Sequence, residues 1–228
     1  MSSTGTADDS KCPSKPTNTT KYAFYTVAKP QDTVCLELTK DGGDTVAWRS
    51  TYVVKNTDSS NQESLAVSRY LLDPWPLNLI GSLILNFHYN YKTSDMTSAV
   101  MMRMTIAKTA LDPVVIEVRV ILAYSGDKTN LVASAKYLEE VDIGGIPFEL
   151  YEVVNSHGVV VPTFVSKTLQ VSYEGDFMNF IDHLSPKTIN QQYYLQTLET
   201  GLLIHSSAGN SFEVTNLGIA HAYLGPTE

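Results

Sequence analysis

The chain has 228 residues, 43% of them hydrophobic, which suits one large domain with a substantial core better than two small ones. A net charge of −8 with no block of Lys or Arg argues against nucleic acid or an anionic membrane surface as partner. The apolar stretch from Leu77 to Leu85 is interrupted by Asn78, Gly81 and Ser82, and nothing approaches the roughly 18 to 20 residues that span a bilayer.

Residues 1–20 are rich in Ser, Thr, Lys, Asp and Pro and predict a flexible arm ahead of a single domain over 21–228. The arm begins without a basic segment or an apolar run, so no signal peptide is visible, as expected of a trimmed mature chain. Cys12 lies in this arm and Cys35 follows the first strand-like run, a placement that predicts a bridge pinning the arm to the sheet. Asn18-Thr-Thr is a glycosylation sequon in the same arm. Bridge and sequon together point to the secretory pathway or the cell exterior.

Short β-favouring runs follow at Tyr22 to Val27, Val34 to Leu38, Thr45 to Val54, Leu83 to Tyr91, Ala99 to Ile106, Val114 to Tyr124, Ile146 to Glu152, Val159 to Ser166 and Phe212 to Ala220. Their separators carry turn residues, among them Asp41-Gly-Gly-Asp44, Ser125-Gly-Asp127, Gly144-Gly145 and Asn155-Ser-His-Gly158. Such spacing predicts an all-β, two-sheet sandwich or jelly roll. One segment has helical period instead: Phe177, Phe180, Ile181 and Leu184, with Asp176 as cap and Pro186 just past the end. It predicts one α-helix packed on the back of a sheet.

The run 99–106 and the run 114–124 form a natural antiparallel hairpin around a turn near Ala110. Pairing positions whose numbers sum to about 220 sets Arg103 opposite Glu117 and Met101 opposite Arg119. Because side chains two apart share a face, Met101, Arg103, Thr105, Glu117, Arg119 and Ile121 are expected on one surface.

Several segments in order resemble the family 12 glycoside hydrolases. Val46-Ala-Trp-Arg-Ser-Thr-Tyr52 is similar to the family's Val-Ser-Trp-His-Thr-Thr-Trp strand, and Phe87-His-Tyr-Asn-Tyr91 to its Trp-Glu-Trp-x-Tyr segment. Glu117-Val-Arg-Val-Ile-Leu122 resembles the Glu-Leu-Met-Ile-Trp-Leu strand that bears the nucleophile. Gly145-Ile-Pro-Phe-Glu-Leu-Tyr151 resembles the Gly-x-x-Trp-x-Leu-Tyr hairpin, and Asp176 to Leu184 the family's single helix. The resemblance spans Tyr22 to Ala222, takes in the placement of Cys12 and Cys35, and implies a concanavalin-like jelly roll.

It also implies that the family's chemistry is absent. A retaining glycosidase needs a nucleophile and a proton donor about 5 to 5.5 Å apart. The family's donor lies in Gly-Thr-Glu-Pro-Phe, which here reads Gly201-Leu-Leu-Ile-His205, so Leu203 stands at the donor's position. Glu199 has the same strand parity, yet four residues along a strand is about 13 Å, too far to replace it. The acid beside the family's nucleophile corresponds to Arg103, the Met and Trp after it to Arg119 and Ile121, and a sugar-stacking Trp to about Lys29. The sequence therefore predicts a chain that is not an active glycosidase.

Two readings of Glu117 follow. Either it is only a buried partner of Arg103 and Arg119, or these three form the reactive part of a cleft whose remaining walls are apolar. The second reading assigns Arg119, Arg103 and Glu117 to chemistry and Met101, Thr105, Ile121, Leu203, His205 and Tyr89 to ligand contact. Such a cleft suits a small apolar organic molecule with one carbonyl or acidic head group. No cofactor is required and no metal is expected, because His88, His157, His183, His205 and His221 lack ligand spacing. Ser206 and Ser207 lack a nucleophile-elbow motif.

Two functions of different class are compatible with this. One is a cofactor-free enzyme of natural-product assembly that promotes a cyclisation or cycloaddition by holding apolar partners in a near-attack pose beside a polarising cation. Hetero-Diels–Alderases that join a tropolone-like quinone methide to a sesquiterpene resemble it in the character of the cleft required. The other is a catalytically dead glucanase relative that binds glucan or acts as a decoy for a glucanase inhibitor.

Overall fold

The computed structural model describes residues 12, 18–55, 64–91, 96–185 and 188–224. Among these residues thirteen strands run in chain order: β1 (Tyr22–Val27), β2 (Thr33–Asp41), β3 (Thr45–Val54), β4 (Ser64–Tyr70), β5 (Trp75–Pro76), β6 (Ile80–Tyr91), β7 (Met96–Ala107), β8 (Val114–Ser125), β9 (Lys136–Ile143), β10 (Ile146–Val154), β11 (Val160–Ser166), β12 (Ser172–Asp176) and β13 (Tyr194–Tyr223). One α-helix among the described residues, α1 (Met178–Leu184), precedes the last strand. The expected all-β jelly roll with one helix is the fold observed.

β13 organises the molecule. Its first half lies between β4 and β7, and its second half pairs with β3 and β6. One long strand thus passes from an inner layer, ordered β1-β4-β13-β7-β8-β11-β10-β9, to an outer layer of β2, β3, β6 and β12. β4 escapes the alternation rule because nearly all of it, Ser64 to Ser68 and Tyr70, is buried. β9 escapes it because it is a polar strand at the sheet edge, Lys-Tyr-Leu-Glu-Glu-Val-Asp-Ile.

The main core fills the space between the layers. Trp48, Phe87, Tyr89 and Phe212 pack there edge-on or tilted. Helix α1 presents Met178, Phe180, Ile181 and Leu184 to this core, with Phe180 against Phe148 of β10 and Phe164 of β11. Burying Phe180 alone contributes about 1.5 to 3 kcal/mol. The cap position falls on Phe177, one residue past the expected Asp176, which ends β12; Asp176 Oδ1 nonetheless accepts the amide of Met178 at 2.9 Å and that of Leu83 at 2.9 Å, so one carboxylate ties α1 to β6. Pro186 lies outside the described residues.

The β7–β8 register corrects the hairpin drawn from sequence. Arg103 faces Arg119, Thr105 faces Glu117, and Met101 faces Ile121. The pairing sums to 222 over residues 101–106, two more than the regular hairpin assumed, with one irregularity on the turn side at Ile106/Ala107 and another beyond the site at Val100/Met101. A shift of two preserves parity, so the six side chains stay on one surface even though their partners change.

Cys12 and Cys35 form the expected disulfide. Most of the arm over residues 1–20 lies outside the described residues; Asn18 is exposed, and its Oδ1 accepts the amide of Phe24 at 3.1 Å. With its cysteines 23 positions apart, the bridge is expected to stabilise the protein by about 3 kcal/mol through loop closure in the unfolded chain. Urea unfolding with and without prior reduction measures this. Thiol titration of the denatured, unreduced protein checks the bridge itself, for which two reactive thiols would be contrary.

Candidate functional site

The face of the inner layer turned away from the main core carries most of the residues singled out from sequence. Alternation brings Tyr25 from β1, Leu65, Val67 and Arg69 from β4, and Thr197, Glu199 and Leu203 from β13 to it. Ala99, Met101, Arg103 and Thr105 from β7, and Glu117, Arg119 and Ile121 from β8, complete it. The surface divides in two along the strands, with ionic groups at one end and hydrocarbon at the other.

The ionic end is built on Glu199, whose side chain is 1% exposed. Register places it between Arg69 on β4 and Arg103 on β7. Its Oε1 accepts from Arg69 Nε at 2.7 Å, Arg69 Nη2 at 2.6 Å and Tyr25 Oη at 2.6 Å; its Oε2 accepts from Arg103 Nε at 2.7 Å and from Arg103 Nη2. Both guanidinium groups also donate to Tyr25 Oη, at 3.3 and 3.2 Å. Burial works against the charge of Glu199, but Arg103, Tyr25 and Arg69 outweigh it and hold the carboxyl below its ordinary range. Burial likewise opposes the charge on Arg103, and Glu199 followed by Glu117 raises its pKa despite this. Burial and then the charge of Glu199 raise Tyr25.

Glu117 joins the cluster from the other side. Its Oε1 accepts from Arg119 Nε at 2.6 Å, while Arg103 Nη1 stands 3.9 Å away. Arg103 is therefore bound first to Glu199 and only loosely to Glu117, the reverse of the pairing expected from sequence. Thr105 Oγ1 bonds Thr197 Oγ1 at 2.7 Å beside them.

At the hydrocarbon end, Leu65, Val67, Ala99, Met101, Ile121, Val165 and Leu203 form a second buried cluster, covered by Tyr25, Val27, Tyr124, Leu131, Val132 and Tyr151. Leu203 is 1% exposed and Met101 2%, so neither is an open groove wall. His205 lies half-buried beyond Leu203, where β13 shifts register against β7 between Ile204 and Ser206. Tyr89 is a correction: it packs in the main core against Phe87 and Phe212, donates its hydroxyl to Gln170 O at 2.7 Å, and does not reach this face.

Glu199, Arg69 and Tyr25 were not legible as site residues from spacing alone. The signal available was a lone carboxylate inside the apolar run Leu198-Glu-Thr-Gly-Leu-Leu-Ile204, which requires cationic partners if that run is buried. Among the described residues no three His, Cys, Asp or Glu side chains gather as a metal ligand set, and no helix is long and apolar enough to cross a membrane.

Chemically, the face offers fixed guanidinium donors beside a dry apolar surface. Its buried carboxylate is held ionised and so is a poor proton donor.

No family model matches the chain. It is 23% identical over 161 residues to a probable xyloglucan-specific endo-β-1,4-glucanase A of Aspergillus terreus, a match covering 70% of this chain and 64% of that protein's length. Among solved structures, the Humicola grisea Cel12A catalytic domain superposes with a TM-score of 0.79 at 13% identity, over 89% of this chain and 93% of that one. The xyloglucanase domain of NopAA from Sinorhizobium fredii gives 0.73 at 17% identity, over 90% and 96%. Trichoderma harzianum endoglucanase 3, from family GH12, gives 0.72 at 17% identity, over 89% and 86%. Chain and glucanases thus share one architecture: the chain has the fold of the family 12 glycoside hydrolases.

Proposed function

We propose that this protein is a non-hydrolytic, cofactor-free enzyme on a glucanase-like fold, binding an apolar substrate with a carbonyl or acidic head group and promoting a cyclisation or hetero-Diels–Alder cycloaddition. The observation that carries this reading is the division of one face into a closed hydrocarbon cluster, which holds Leu203, and an arginine–carboxylate cluster beside it. Glycoside hydrolysis needs an acid that can give up a proton near neutral pH. Leu203 has none, and Glu199 is held ionised by two arginines.

A cycloaddition needs neither acid nor base. One C–O and one C–C bond form as π bonds are consumed, no atom leaves, and a guanidinium N–H to the heterodiene oxygen lowers the barrier by drawing electron density from it. Arg119, anchored through Nε at Glu117, supplies that donor. Met101, Ile121 and Leu203 supply the surface on which an alkene partner packs, and holding the two partners together is itself worth several kcal/mol. The disulfide and the exposed sequon at Asn18 support a secretory or extracellular location for the protein.

The test is a mixture of an o-quinone methide, released in situ from a 2-(acetoxymethyl)phenol precursor, with a cyclic sesquiterpene alkene. The expected result is an enantiomerically enriched dihydropyran adduct formed faster than in a heat-killed control. In parallel, xyloglucan and β-1,4-glucan should release no reducing sugar above that control, for the native protein and for Leu203→Glu alike. Racemic adduct at the background rate, or turnover of glucan, overturns the reading.

A further inference from the structure

The hydrocarbon half of the site is closed, and residues 126–135, between β8 and β9, supply part of its cover, beside Tyr25, Val27, Tyr124 and Tyr151. Leu131 and Val132 of this segment pack on the cluster that holds Met101, Ile121 and Leu203. The segment is attached to the sheet through Lys128, whose Nζ bonds Glu149 of β10 and lies 5.8 Å from the Tyr151 ring. Tyr151 donates its hydroxyl to the same Glu149 oxygen at 2.8 Å, so Glu149 is the fixed half of a latch.

Two further features suit the segment to moving as a unit. Among the described residues, its turn hydrogen bonds close within it: Asn130 N to Asp127 O at 3.1 Å, Leu131 N to Lys128 O at 2.9 Å, Ala135 N to Val132 O at 2.9 Å, and Thr129 N to Asp127 Oδ1 at 2.9 Å. Swinging it outward breaks no ladder bond. Its ends also hold left-handed backbone, at Gly126 (φ 86°) and Ser134 (φ 64°). Sharp reversals at both ends, with no strand pairing between them, are what a two-point hinge requires.

From these features we infer that residues 126–135 are a lid over an apolar subsite, latched by Lys128 on Glu149, and that the hydrocarbon part of a ligand enters by displacing Leu131 and Val132. The inference rests on the proposed ligand chemistry only in naming what enters; the lid motion itself is tested without turnover. In the closed state nothing reaches Met101 or Leu203, so access to them reports opening.

Both native cysteines are in the disulfide, so Met101→Cys creates one thiol beneath the lid. Its labelling by N-ethylmaleimide is expected to be slow yet insensitive to low urea, as local opening is, and to quicken about two- to five-fold when Glu149→Gln or Lys128→Gln is added, the effect of losing a partly exposed ion pair. Leu203→Cys serves as a second probe should Met101→Cys fold poorly, and hydrogen exchange of residues 128–132 should outpace that of β8. Labelling that follows global unfolding in its urea dependence and ignores the latch variants overturns the lid. A failed cycloaddition assay with latch-dependent labelling removes the enzyme reading and leaves the lid standing. Latch-independent labelling with successful cycloaddition does the reverse.

Discussion

Replacing Glu199 with alanine is expected to cost about 3 to 5 kcal/mol, a large share of the stability of an ordinary domain, because it strips the largely buried Arg103 of its main partner and leaves it beside a second guanidinium, the half-exposed Arg69. Three groups converge on this carboxylate from three strands, Tyr25 of β1, Arg69 of β4 and Arg103 of β7, and Arg103 also stands near Glu117. Glu199→Gln keeps the shape and loses the charge, so it should fall between alanine and the native protein. The same linkage sets a pH dependence. A carboxyl held below its unfolded value of 4.5 stabilises the fold fully above that pH, and the contribution is lost as pH falls through the lower folded value. Melting temperature should therefore drop on acidification below about pH 4.5, and Glu199→Gln should flatten that drop. Equal slopes in the two proteins would show that Glu199 is not the group responsible.

The second large effect separates the arginines. Arg103 joins both carboxylates and is 16% exposed, so Arg103→Met should destabilise by about 3 kcal/mol or more and take activity down with the fold. Arg119 is bonded to Glu117, and Glu117 keeps Arg103 nearby when Arg119 is removed. Arg119→Met should leave the melting temperature within a few degrees of the native value while lowering the rate of adduct formation about 10²- to 10³-fold, the effect of removing one preorganised donor. Denaturant melts and initial rates on the same preparations decide it. Equal destabilisation by both variants, with unchanged activity per folded molecule, would make the whole cluster structural.

Neither prediction could have been framed from strand spacing alone. The sequence placed Glu199 about 13 Å along a strand from Leu203, and by that measure it was remote from the site. Distance across the sheet is the relevant one: β13 lies beside both β4 and β7, so Glu199 is a direct neighbour of Arg69 and Arg103. In the same way Arg103 was matched to Glu117 by assuming a regular hairpin, whereas the actual β7–β8 register sets it opposite Arg119. Tyr89 was placed at the site by similarity of its segment, and strand β6 turns it into the main core instead.

What the sequence determined by itself was periodicity. Alternation along β7 and β8 put Met101, Arg103, Thr105, Glu117, Arg119 and Ile121 on one face, and this survived a two-residue change of register because side-chain direction repeats every two residues. Helical spacing at Phe180, Ile181 and Leu184, and the pairing of Cys12 with Cys35, were legible for similarly local reasons. Only the tertiary structure decided which ionic groups meet and whether the apolar half is open. Contacts between strands far apart in sequence depend on layer order and bulges, and the covering of Met101 and Leu203 depends on a loop with no hydrophobic period of its own. Those are properties of how the sheet is assembled, and no single segment carries them.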